Sequence, residues 1–135
     1  SGVIKINNFS EELSVPQKYW KKKMYYIHWK LEVEKILNMG RKAALITAMI
    51  DPKNANFLNA WVLYREESNI YVQNSLIILK NFKNSFNMEN IDDFISDRKT
   101  VDIDGDFISE WKITLNDLRV FYTYLSEIED SSTYG

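Results

Sequence analysis

Carboxylates are the side chains in this chain most able to do chemistry, and they are crowded together. Asp92, Asp93, Asp97, Asp102, Asp104, Asp106 and Glu110 fall in under twenty residues, and Glu66 and Glu67 stand side by side upstream. Asp102-x-Asp-x-Asp106 alternates oxygens as a calcium loop does, but the pattern fails where it matters. The glycine that should follow the third acidic position is Gly105, which precedes it, and Ile113 stands where the closing glutamate belongs. A hairpin tip with spare carboxylates is the simpler reading. Glu66 and Glu67 invite a general acid and base pair, yet neighbours on a strand point to opposite faces, so they read as solvated turn charges.

Other chemistries lack their parts. His28 is the single histidine; it lies in a helical pattern beside Trp29 and has no second histidine or cysteine with which to share a metal. It reads as a surface or packing residue. The chain has no cysteine, which removes disulfides, thiolate ligands and thiol nucleophiles together and suits a reducing cytoplasm. Of four glycines only Gly40 and Gly105 are internal, too far apart for a phosphate-cradling loop, and no Gly-x-Ser-x-Gly elbow occurs. Lys18, Lys21, Lys22 and Lys23 sit among Tyr19, Trp20, Tyr25 and Tyr26, a mixture of charge and stacking rings that nucleic-acid binders use. On a helix, however, Trp20 belongs to the core stripe and the lysines to the water face.

The elements that must position these groups follow from periodicity. Ser14-Val-Pro-Gln17 resembles a capping box, and the spacing of Trp20, Met24, Ile27 and Leu31, with Val33, Ile36 and Leu37 widening the apolar surface, predicts a helix over about 16–38, closed by Gly40 as a left-handed cap. Ala43 to Ile50 is a short apolar run stopped by Asp51-Pro52 and reads as a buried strand. Strands follow near 57–66 and 70–79. Both carry apolar residues on both faces, so they are read as central strands covered on each side. Trp61, Tyr64 and Tyr71 fit a core, whereas Arg65, Gln73 and Asn74 need polar partners, either inside the sheet or on a recognition surface. Asn90 to Ile95 predicts a helical turn or two capped by Asn90, and Asp104-Gly105 lies between β-prone runs as a hairpin signal. Thr114 with Asp117 caps a final helix whose Leu118, Phe121, Tyr122, Leu125 and Ile128 form one apolar stripe. The expectation is a single α+β domain over 1–135: an antiparallel sheet of about four or five strands packed with an N-terminal and a C-terminal amphipathic helix.

Charge is uneven. The net charge of −2 conceals +5 over residues 1–53 and −7 over 54–135. The acidic half reads either as a solvated loop or as an electrostatic face for a basic partner, and it would repel nucleic acid. Tyr19 to Leu37 is too charged to cross a bilayer, and the first residues lack the pattern of a secretory signal.

One resemblance goes further. Ala44-Leu-Ile-Thr47, Asp51-Pro52, Asn54-Ala-Asn-Phe57, Trp61-x-x-Tyr64-Arg-Glu66, Val72-Gln-Asn74 and Ile108-Ser-Glu-Trp111, in this order after a tryptophan-bearing helix, resemble immunity proteins of bacterial contact-dependent growth inhibition systems. The similarity spans about 9–128. It implies a cytoplasmic binding protein, without enzyme activity or cofactor, that neutralises the toxin domain of a large secreted effector. It gives the acidic face a purpose. The toxins are often nucleases with basic clefts, so the carboxylates from Asp92 to Glu110, joined by Glu66 and Glu67, are the expected partner-binding residues. Two other classes stay open: a protein-binding module of an unrelated pathway, and a small enzyme or nucleic-acid binder with a dispersed site.

Overall fold

The computed structural model describes residues 15–134. Helix α1 (Lys22–Leu37) is followed by strands β1 (Lys42–Ala48), β2 (Phe57–Glu66) and β3 (Asn69–Ile78). Three 3-10 segments, Pro52–Asn54, Lys80–Phe82 and Met88–Phe94, lie in the connections. Strand β4 (Glu110–Thr114) leads directly into helix α2 (Leu115–Tyr134). The strands form one antiparallel sheet in the order β1-β2-β3-β4, which makes the two long strands central. They pair without interruption from Phe57↔Ile78 to Glu66↔Asn69 across a two-residue turn. Glu67 takes φ +59 in that turn.

One face of the sheet is covered along its length; the other is covered only toward the β2–β3 turn, since Phe57, Leu76 and Ile78 at its far end are exposed. Leu58, Val62, Tyr64, Gln73 and Ile77 share one face by register and are buried. The chain from Met88 to Lys99 crosses that face, with Tyr64 Oη donating to Ser96 O at 2.9 Å and Gln73 Nε2 to Lys99 O at 2.9 Å. On the opposite face Leu63, Ile70, Val72 and Ile113 are buried, and Arg65 Nη1 donates to Ile36 O at the end of α1 at 2.6 Å. The two helices pack together there, linked by a hydrogen bond from Tyr122 Oη to Glu34 Oε1. The partners that Arg65 and Gln73 required are therefore internal.

Four local expectations are corrected. Helix α1 begins at Lys22, because the preceding segment folds back on its first turn. Gln17 Oε1 accepts from Lys22 N at 3.2 Å, and Pro16 O accepts from Tyr25 Oη at 2.8 Å. Ser14 of the expected capping box lies outside the described residues. The buried face of α1 is turned by one residue from part of the predicted stripe: Met24 and Leu31 are exposed, while Tyr25 and Trp29 are buried with His28 and Glu32; Val33 and Ile36 are buried as expected. The left-handed residue at the helix end is Met39 (φ +76), not Gly40. Met39 N donates to Ile36 O and Gly40 N to Lys35 O, the two bonds of a Schellman motif. Gly40 serves by having no side chain, since a Cβ there would lie 2.5 Å from Lys35 O. The short segment before β4 is capped by Asn87, whose box with Asn90 is closed in both directions.

The expected hairpin at Asp104-Gly105 is reduced to one bridge, Val101↔Phe107, because β4 pairs with β3 instead. At the start of α2 the expectation holds, with Asp117 N donating to Thr114 Oγ1 and Thr114 N to Asp117 Oδ2. Leu118, Phe121 and Leu125 are buried and Tyr122 and Ile128 pack beside them.

Candidate partner-binding surface

The sheet register brings two of the acidic residues together and ties them down. Gln73 lies opposite Glu110, and Tyr71 shares their face two residues away. Arg98 completes the cluster. Its guanidinium sits 3.7 Å above the Tyr71 ring, donates through Nη1 to Glu66 Oε2 at 2.6 Å, and grips Glu110 with Nε and Nη2. Gln73 Nε2 adds a bond to Glu110 Oε2 at 2.8 Å. The Arg98 hydrogen bonds, with help from Gln73, hold the Glu110 carboxyl below the usual carboxylate range. Glu66 and Glu110 thus work as a clasp that fixes the root of the loop following Arg98. Glu67 stands apart in the β2–β3 turn.

Asp92 is engaged as well, accepting from Lys35 Nζ at 2.5 Å, while Asp97 approaches Lys42 Nζ only at 3.8 Å and is otherwise in water. Asp102 is structural: its Oδ1 accepts from Asp104 N at 2.9 Å and from Asp106 N at 3.0 Å. Gly105 at φ +84 closes the turn. The side chains of Asp104 and Asp106 are exposed, as are those of Glu67 and Asp97. Asp93 is exposed at the lip of an open groove of about 740 Å³ beside Leu76, Ile78, Phe82 and Phe94. The nine sequence-predicted residues therefore divide: Glu66, Asp92, Glu110 and Asp102 hold the framework, and Glu67, Asp93, Asp97, Asp104 and Asp106 make no close ion pair with described residues. No group of three or more His, Cys, Asp or Glu among the described residues is placed to hold a metal ion.

Two residues with unexpected work lie on α1. Strand β1 is an edge of the sheet, and its outward amides would be buried without partners. His28 Nε2 accepts from Ile46 N at 2.9 Å and Glu32 Oε1 from Ala44 N at 3.1 Å. Trp29 Nε1 donates to Ile46 O, and Tyr25 Oη accepts from Met49 N at 2.8 Å. One face of the helix thus substitutes for a fifth strand. Burial, and secondarily Lys35, lowers the His28 pKa to about 3, so it is neutral and its acceptor is occupied. The sequence signal was present as His28-x-x-x-Glu32 at i, i+4, beside the Tyr25, Trp29, Val33 stripe.

That packing bears on the competing readings. A histidine whose Nε2 lone pair holds a backbone amide is a poor general base. Of the rings interleaved with the lysines, Trp20, Tyr25 and Tyr26 are buried and only Tyr19 is open for stacking. No helix among the described residues is long and apolar enough to cross a membrane.

Comparison with known proteins supplies the rest. The profile of a family described as the CdiI N-terminal domain matches residues 15–121. A curated protein of Enterobacter cloacae subsp. cloacae, the immunity protein CdiI, is 41% identical over 123 residues, spanning 91% of this chain and 84% of that protein. Among solved structures, a chain of the CdiA-CT/CdiI toxin and immunity complex from Enterobacter cloacae is similar with a TM-score of 0.76 and 39% identity. The match covers 83% of this chain and 76% of that one.

Proposed function

Since this chain belongs to the CdiI immunity family, we propose that it binds the toxin domain of its own contact-dependent growth inhibition effector and neutralises it. The observation that carries this reading is the shared fold and 39% identity with a chain from a solved toxin and immunity complex. Membership also favours a binding protein over an enzyme, in keeping with the occupied His28. A toxin delivered into a cell must be met where it acts, so the working place is the cytoplasm.

The mechanism we infer is occlusion. The toxin domain is a nuclease whose cleft is lined with cations to hold substrate phosphates, and Glu67, Asp93, Asp97, Asp104 and Asp106 stand in for those phosphates at its mouth. Carboxylates held in place raise association rates and make them sensitive to salt. Glu66, Asp92, Asp102 and Glu110 act at one remove, by holding the backbone that presents the others.

This division sets the experiment. Reversing Asp104 and Asp106 to lysine, while sparing Asp102 so that the turn survives, lowers the association rate with the cognate toxin domain by about tenfold or more at low salt. It also flattens the dependence on ionic strength and leaves the melting temperature in place. An unchanged association rate would remove the acidic loop from the mechanism.

A further inference from the structure

The loop from Thr100 to Ile108 carries something its acidic sequence conceals. Ile103 is 101% exposed and Phe107 89%, the two most exposed large apolar side chains among the described residues. Such side chains ordinarily reach water on loose segments; these do not. Asp102 N donates to Asp106 O, Ile108 N to Thr100 O, and Gly105 N to Asp102 O, closing a small ladder around the Val101↔Phe107 bridge. The root of the loop is gripped by Arg98 on Glu66, Glu110 and Tyr71. The fold therefore spends a set of hydrogen bonds on an element that buries neither of its apolar tips.

A rigid apolar pair ringed by charge has the anatomy of a binding hot spot: anchors that enter pockets, a polar rim around them, and little ordering left to do on binding. We propose that Ile103 and Phe107 are the apolar anchors of the toxin contact, inserting into an apolar recess bordered by basic side chains. This rests on the reading of the chain as an immunity protein. Charge selects the occupant. Asp104 and Asp106 flank the anchors, so a second copy docking by this loop would set carboxylates against carboxylates, and an anionic lipid surface would be repelled.

The test is the double variant I103A/F107A of the full chain, titrated against the cognate toxin domain beside the wild type. The affinity falls by at least about 100-fold, as for a two-residue hot spot, while the melting temperature is unchanged because neither side chain is packed. I103L/F107Y retains binding. Wild-type binding with an equally tight double variant would overturn the anchor proposal and leave the immunity function standing; failure of the wild type itself to bind would strike the function first. A melting temperature lowered in the double variant would show that the pair is structural. A free wild type that sediments as a dimer, and a double variant that sediments as a monomer, would give the loop to self-association.

Discussion

At the scale of single residues, the most consequential side chains are polar ones that the helical pattern hid. His28 and Glu32 each take one outward amide of β1, and removing either leaves a buried N–H with no partner. Glu32→Ala is expected to cost about 1–3 kcal/mol of stability, read as a fall in the urea midpoint without a change of slope. His28 adds a pH dependence. The unfolded residue titrates near 6.5 and the folded one at about 3. The unfolded chain thus takes up a proton that the folded chain refuses. Its stabilisation is complete above about pH 6.5 and drains away as pH falls toward 3. Glu32 runs the other way, because burial raises its carboxyl, and its contribution weakens as pH rises through the folded value. Comparing wild type with His28→Gln isolates the histidine, since Glu32 is common to both. The variant should lose less stability between about pH 7 and pH 4, and parallel losses would contradict this role. Neither residue was legible as an edge partner. Periodicity finds apolar faces, and here the face toward the sheet is part polar, so the predicted stripe settled one residue away on Met24 and Leu31. The Arg98 clasp was hidden for another reason: its members come from β2, β3, β4 and a loop.

Among the elements, strands were easier to read than ends. Runs of β-branched and aromatic residues with period two marked β2 and β3 to within a residue, and apolar character on both of their faces placed them at the sheet centre. The Thr114–Asp117 cap was equally direct, because its chemistry is local. Gly40 was assigned the right helix end but the wrong task. A methionine occupies the left-handed position, which costs a side-chain-bearing residue about 1–2 kcal/mol relative to the right-handed region, and Met39 is three-quarters exposed, so little packing would be lost with it. Met39→Gly is expected to stabilise the protein by up to about 1 kcal/mol, while Gly40→Ala destabilises it by forcing a Cβ against Lys35 O. Thermal melts of the two variants should therefore move in opposite directions. If both fall, Met39 supports the fold through contacts of its own. The acidic loop shows the limit of turn signals. Asp104-Gly105 did mark a turn, yet β4 found its partner in β3, and pairing at a distance decided how long the hairpin could be.

For the whole molecule, the near-neutral net charge divides into a basic first part and an acidic second part, and the fold puts the two to different uses. Lys35 of the basic part reaches Asp92 of the acidic part, and Lys42 Nζ donates to Ile95 O at 2.7 Å, so the crossing segment is tied to α1 and β1. Exposed and without a close ion pair among the described residues is the acidic rim at the β2–β3 turn and the loop before β4, with Ile103 and Phe107 at its crest. A binding protein that keeps its recognition groups on turns and its framework in the sheet can change partners without disturbing the core. All of it depends on one claim, that the chain neutralises a cognate toxin domain. The direct measurement is growth of bacteria producing that toxin domain from an inducible promoter, with and without this chain supplied in the same cell. Growth arrest without the chain and full growth with it is the expected result; arrest of equal depth in both, with the chain present in folded form, would contradict the claim.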